Sequence, residues 1–222
     1  MRFAAFETAT EWCSAALWVD GEIVSVEERA GNRHAERLLP MLDQAAACAG
    51  ISLGALSAVA FGCGPGSFTG LRIACGVAQG IALARDLPVL GVSTLQALAQ
   101  ESGLARVIAC LDARMHEVYY SALERQHSGW REVIPALCVA PAAAPLPPGE
   151  GWTGCGNGFS VYAEAFRSRI SSMIPDLHPS AVAVARLAAP RLAAGEGVDA
   201  ALAAPVYLRD KVAFTVAERE AR

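Results

Sequence analysis

The stretch with most chemical potential is Gly62-Cys63-Gly64-Pro65-Gly66-Ser67-Phe68-Thr69-Gly70-Leu71-Arg72. It lies between a short apolar run, Ala58 to Gly62, and a segment with helical periodicity. A glycine-rich turn from a buried strand into a helix converges backbone N–H groups and adds the positive end of the helix dipole. That makes it a natural anion site. The same residues also suit a tight turn that needs φ > 0 and close strand–helix packing. The residues that would build an anion or nucleotide loop are Thr8, Thr10, Gly64, Gly66, Ser67, Thr69 and Arg72. Catalytic templates fail here. A phosphate-binding loop of the G-x-x-x-x-G-K-[ST] kind has no lysine available. A nucleophile elbow needs glycine two residues either side of Ser67, where Pro65 and Thr69 stand. G-x-G-x-x-G breaks at Thr69. Ser67 or Thr69 is better placed to cap the following helix than to attack a substrate.

Other candidate groups are sparse. His34 and Glu36 could open a metal site, but a second ligand histidine is missing because position 38 is leucine; His116, His127 and His178 show no ligand spacing. Asp112, Arg114 and Glu117 cluster at the start of a strand, where they could bind a ligand or form a solvated ion-pair group; the second reading is preferred. Trp130 and Trp152 read as packing residues, since no basic stripe with interleaved aromatics accompanies them.

The elements that must position these groups follow from pattern. Arg2–Glu7, Trp12–Val19 and Glu22–Arg29 read as strands, with Asp20-Gly21 a two-residue hairpin turn. A helix is expected from His34 to Ala49, with Pro40 in its first turn or kinking it. After the glycine loop a second helix runs to about Arg85. A strand at Val89–Val92 and a helix capped by Ser93 or Thr94 complete a first unit. A second begins near Leu104, with strands at Val107–Leu111, Glu117–Leu123 and Trp130–Val139. A Pro/Gly-rich loop spans Pro141–Gly151, and helices are expected at Phe159–Arg169 and Ser180–Ala194. Two half-size units, each strands first and helices after, suggest an internal duplication. The fold class is α/β with mixed sheets.

The helix after the loop carries two interior glycines, at about 1 kcal/mol each against alanine. Gly76, Gly80 and Ala84 form a small-residue stripe beside an apolar stripe of Ile73, Val77 and Ile81. Either both stripes pack within the chain, or the small one admits a partner's helix.

Composition narrows the class. With 54% hydrophobic and 18% charged residues in 222, the chain folds around a core rather than remaining disordered. A net charge of −4 argues that any contact with nucleic acid is shared with a partner. Seven cysteines without a C-x-x-C pair fit neither a disulfide framework nor a zinc site and point to a reducing cytoplasm. No signal-peptide pattern opens the chain, and Val133–Pro148 is apolar but too short and proline-broken to span a bilayer.

Several segments, taken in order, resemble one family over nearly the full length. They are Glu7-Thr8-Ala9-Thr10, His34-Ala35-Glu36-Arg37-Leu38-Leu39-Pro40, Gly64 to Arg72, Val89 to Leu95, Asp112 to Tyr119, and Pro205 to Ala213. Together they are similar to the TsaB (YeaZ-like) family. The resemblance implies a two-lobed fold of the actin, sugar-kinase and Hsp70 type (ASKHA, ribonuclease H-like), with mixed sheets flanked by helices. The first lobe would span 1–103, with 205–222 packing back on it, and a smaller second lobe 104–204. It implies a cytoplasmic, non-catalytic scaffold subunit of a TsaB–TsaD–TsaE complex. That complex transfers threonylcarbamoyl to adenosine 37 of tRNAs reading ANN codons. TsaD and TsaE would be partners, ATP and metal would reside on them, tRNA would be met only through the complex, and the chain alone would form a homodimer. The first two helices carry the family's interface. On this sequence that implies His34, Leu38, Met41, Leu42 and Ala45 on the first helix. On the second it implies Ile73, Gly76, Val77, Gly80, Ile81 and Ala84. One departure bears on chemistry: the family's first strand usually ends in Asp-Thr-Ala, and here Glu7 stands first. With Ala9 where a glycine would admit phosphate, this argues against the alternative, a nucleotide-dependent phosphotransferase or ATPase of the actin-like class. An older glycoprotease label for relatives finds no protease constellation in this chain.

Overall fold

The computed structural model describes residues 1–127 and 129–209. Strands β1 (Arg2–Glu7), β2 (Trp12–Val19) and β3 (Glu22–Arg29) form the expected meander, turning at Asp20 and Gly21, both with positive φ. Strands β4 (Ala58–Gly64) and β5 (Val89–Ser93) add in parallel, so the sheet order is β3-β2-β1-β4-β5. Helices α1 (His34–Ala49) and α2 (Phe68–Leu83) cover one face. Both run back from the strand ends at which the glycine loop lies, so they are parallel neighbours.

The apolar run of β1 is explained by burial on both faces. Ala4 and Phe6 face α1 and α2, while Phe3 and Ala5 face α6 (Ala181–Ala193). That helix is a correction to the expected lobe boundary. It follows the second lobe in sequence but packs on the first sheet. Its first amide, Ala181 N–H, is capped by Ser14 Oγ of β2 at 2.8 Å. An alanine-rich face (Ala181, Ala185, Ala188) lets the helix lie close to the sheet.

The second sheet holds β6 (Arg106–Arg114), β7 (Glu117–Gln126), β8 (Gly129–Val139), β9 (Thr153–Cys155) and β10 (Met173–Ile174), in the order β8-β7-β6-β9-β10. This repeats the first sheet strand for strand, with three antiparallel strands and then two parallel ones. The two-lobed architecture is that of the actin-like class. Helix α3 (Thr94–Ser102) joins the lobes by sending Leu95, Leu98 and Ala99 into the second sheet and Ala97 into the first core. The expected helix at Phe159–Arg169 is instead two single turns, α4 (Gly158–Val161) and α5 (Ala163–Phe166). The break is at Tyr162, whose hydroxyl is anchored on Asp112 Oδ1 at 3.0 Å. Pro40 lies in the second turn of α1 on its exposed side, where a carbonyl without its usual donor can bond water. Cys13, Cys75, Cys110 and Cys155 are buried among apolar neighbours, as small hydrophobes. No described helix is long and apolar enough to cross a membrane.

Glycines in α2 divide into two kinds. At Gly70 a Cβ would stand 1.9 Å from the Thr8 carbonyl oxygen, so glycine is obligatory there. At Gly76 and Gly80 a Cβ would meet nothing within 4 Å. Gly70→Ala is therefore expected to destabilise by roughly 3 kcal/mol through forced displacement of packed backbone. Gly80→Ala should stabilise the monomer by about 0.5–1 kcal/mol through helix propensity. Urea unfolding at a dilution where the chain is monomeric checks both signs.

Candidate functional site

The glycine loop and the β1–β2 turn meet at the mouth of a cleft of about 540 Å³ between the lobes. Its first-lobe wall is Ala9–Glu11, His34 and Gly66–Gly70; its second-lobe wall is Leu111–Met115, Tyr119 and Asn157. Tyr207 and Arg209 close one side. The loop read from the sequence as a possible anion site lines this cleft, but three of its backbone donors, those of Gly64, Ser67 and Gly70, are engaged within the chain. Gly64 N–H donates to Thr94 Oγ1 at 3.2 Å, and Ser67 N–H to the Ala9 carbonyl at 2.8 Å. Gly70 N–H donates to Ser67 Oγ at 3.3 Å, so Ser67 is the helix cap that the sequence suggests. Thr8 Oγ1, fully buried, donates to the Gly70 carbonyl at 2.8 Å. Thr10 Oγ1 accepts from Trp12 N–H at 3.2 Å, while Thr69 is exposed. Arg72 stacks 3.6 Å over the Phe68 ring and donates to the Tyr207 hydroxyl at 3.1 Å.

Glu7 is where an actin-like ATPase would place a metal-holding carboxylate, and here it is turned away from the cleft. It is 1% exposed and does not line the cleft. Its Oε1 accepts from Ala9 N–H at 2.8 Å, and Oε2 lies 3.4 Å from Thr94 Oγ1. The carboxyl occupies the space above Gly62, where a Cβ would come within 2.0 Å of Oε2. Burial pushes its pKa from the ordinary 4.5 up to about 7, against the lowering effect of its hydrogen bonds. Nearby, a Cβ on Gly66 would sit 2.5 Å from the Ala9 Cβ. The two loops that would have to part around phosphates are packed and hydrogen-bonded to each other. Among the described residues no three His, Cys, Asp or Glu side chains converge as a metal site. The residues present do not fit an ATP–metal group at this position.

At the second-lobe wall, Asp112 and Arg114 form an ion pair at 3.2 Å, and Glu117 pairs with Arg209. The trio divides into two separate ion pairs rather than one solvated group, with the Asp112 side chain only 6% exposed, and two partners join that the sequence did not signal. Asp112 N–H donates to Asn157 Oδ1 at 2.9 Å, and Arg209 arrives from the far end of the chain.

A family model described as TsaD, tRNA N6-adenosine threonylcarbamoyltransferase, matches residues 25–215. The Escherichia coli (strain K12) protein named tRNA threonylcarbamoyladenosine biosynthesis protein TsaB is 38% identical over 96% of this chain and 97% of its own length. The chain belongs to the TsaB family. The Haemophilus influenzae relative of the same name is 35% identical over 95% of this chain and 94% of its own. The solved structure of YeaZ from Pseudomonas aeruginosa is 42% identical, covers 93% of this chain and 99% of its own, and superposes with a TM-score of 0.89.

The expected interface residues of this TsaB-family chain separate into two groups. His34, Leu38, Met41, Leu42 and Ala45 are all buried in the first lobe's own core, and His34 Nε2 lies 3.2 Å from the Trp12 carbonyl. They are not surface residues. The reason is that the most apolar stripe of an amphipathic helix faces its own sheet. The free side of α1 presents Leu39, Pro40, Asp43 and Ala47 instead. On α2 the expectation fares differently. Gly76, Gly80 and Ala84 are exposed, as is Leu83, and Ile73, Val77 and Ile81 are half-buried shoulders.

The Glu7 geometry makes a pH prediction. Its folded-state pKa is raised, so its contribution to stability is full below about 4.5 and is lost as pH rises through about 7. Relative to Glu7→Gln, the wild-type chain should lose about 3 kcal/mol between pH 4 and pH 8. Urea midpoints of both proteins across that range test this; parallel curves would place the carboxyl in a solvated setting.

Proposed function

We propose that this chain is a non-catalytic subunit of a tRNA threonylcarbamoyladenosine assembly, and that it docks on a TsaD-type paralogue through the outer face of α2. The observation that carries this reading is the empty space over Gly76 and Gly80. Both glycines weaken the helix, neither is required by any contact inside the chain, and a Cβ at either would meet nothing. A cost without an internal return is offset when another backbone approaches closely, which is what a small-residue groove permits. Leu83 and Ala84 extend the face at one end, and the neighbouring helix α1 exposes Leu39, Pro40 and Ala47. The match to a TsaD-type family model supports a paralogous partner. A face that can pair with its own copy about a two-fold axis can pair with a paralogue of the same fold, so the chain alone should form a homodimer through α2. Nucleotide and metal would be held by TsaD and the ATPase partner TsaE, tRNA would be reached through the complex, and the setting is the cytoplasm.

Gly80→Leu and Gly76→Leu provide the test. A Cβ is unobstructed at both positions, so circular dichroism should match wild type and the monomer's melting temperature should be equal or a few degrees higher. Affinity for the TsaD-type partner should fall at least a hundredfold by calorimetry, and homodimerisation should be lost with it. Undiminished affinity in both variants would remove α2 from the interface.

The competing reading is an actin-like ATPase, which the interlobe cleft invites. The inward Glu7 carboxyl and the packed Ala9–Gly66 contact argue against it. Titration of the isolated chain with ATP and magnesium should show no micromolar binding. A micromolar isotherm would favour the enzyme.

A further inference from the structure

The turn between β6 and β7 has an unusual backbone. Arg114, Met115 and His116 take φ values of 61°, 54° and 62°, three consecutive non-glycine residues in the left-handed region. Such residues are disfavoured singly, and a run persists only where the surroundings over-determine it. One side is held locally: Asp112 Oδ1 accepts from Arg114 N–H at 2.8 Å. The other side is held from a distant part of the chain. Arg209 Nη1 donates to the Ala113 carbonyl at 3.1 Å and lies 3.4 Å from Met115 Sδ. Arg209 Nη2 donates to the Arg114 carbonyl at 3.3 Å and to the Glu117 carboxylate. The Arg209 side chain is 14% exposed although the turn it grips is at the surface.

The segment delivering Arg209 is itself fixed to the first lobe. Val206 N–H donates to the Cys63 carbonyl at 2.7 Å. Gly64, with φ of 116°, has the Val206 carbonyl oxygen 2.6 Å from where its Cβ would be. The Tyr207 ring packs 5.4 Å from Phe68, and its hydroxyl accepts from Arg72. Five residues therefore touch the glycine loop, the first turn of α2 and the second-lobe turn.

We propose that Pro205–Arg209 is an inter-lobe strap, and that Arg209 is a positioning residue that holds the Arg114–His116 turn in its left-handed form as the second-lobe wall of the cleft. The guanidinium suits this role because its planar fork reaches two carbonyls and a carboxylate at once. Arg72 lies one turn before Gly76 on the exposed side of α2, so the strap also ties the docking face to the cleft wall. That last consequence alone rests on the docking reading above.

The experiment is amide hydrogen exchange by mass spectrometry on the full chain without partner, comparing wild type, Arg209→Gln, Arg209→Lys and Glu117→Gln. Arg209→Gln should raise exchange at residues 115–118 at least tenfold and leave 107–111 of β6 within twofold. Arg209→Lys should resemble Gln, since a point charge cannot satisfy three separated acceptors. Glu117→Gln leaves both carbonyl contacts and should raise exchange by threefold or less; it also serves if Arg209 variants do not fold. Unchanged exchange in Arg209→Gln, protection retained in Arg209→Lys, or a tenfold rise in Glu117→Gln would each overturn the clamp. The docking consequence is read separately. Partner affinity of Arg209→Gln should stay within threefold of wild type, while partner-induced protection of 115–118 disappears. If wild type itself does not dock, the α2 reading fails and the strap still stands or falls on exchange in the isolated chain.

Discussion

The first lobe is organised around one close approach. The Thr8 carbonyl lies against Gly70 where any side chain would collide, while Thr8 Oγ1 returns a hydrogen bond to the Gly70 carbonyl and Ser67 N–H reaches Ala9. This contact locks the β1–β2 turn to the start of α2. It sets the rotation of α2 about its axis, so that Leu71, Ala74 and Ala78 face the sheet and Gly76 and Gly80 face outward. It also closes the space between two loops that, in a nucleotide-binding relative of this fold, would embrace phosphate. The closed space between the two loops and the outward, open positions of Gly76 and Gly80 therefore follow from the same packing contact.

Glu7 shows the same trade from the electrostatic side. A carboxylate beside a bound metal would be ionised and would point into the cleft. Here it is buried over Gly62, takes its hydrogen bonds from backbone and Thr94, and has a pKa near neutrality. A group so placed lies in the interior of the lobe and does not line its mouth. The cleft keeps its volume, but its floor is protein.

The duplication visible in the two sheets places the remaining polar groups. Each lobe ends its first strand near the cleft, β1 at Glu7 and β6 at Arg114. In the first lobe the turn after that strand is packed shut. In the second it is a left-handed turn gripped by an arginine from the other end of the chain. The lobes are joined by α3 and by the Pro205–Arg209 segment, which makes their relation a matter of side-chain contacts as well as of connections.

Much of this was legible in the residues. Short apolar runs, Asp20-Gly21 and Ser67 located the meander, the hairpin and the helix cap, because each depends on interactions within a few residues. The glycine notch of α2 was legible for the same reason: two glycines in a helix carry a propensity cost wherever the helix lies. The interface residues on α1 were misplaced, since an apolar stripe looks the same whether it meets its own sheet or another subunit, and only burial assigns Leu38 and Met41 to the core. The expected packing-back of 205–222 is seen for Pro205–Arg209; Asp210 to Arg222 lie outside the described residues. The position of α6 on the first sheet, the inward turn of Glu7 and the grip of Arg209 on a turn 95 residues away are decisions of tertiary structure. They join groups with no local signal, through contacts that exist only once both lobes have formed.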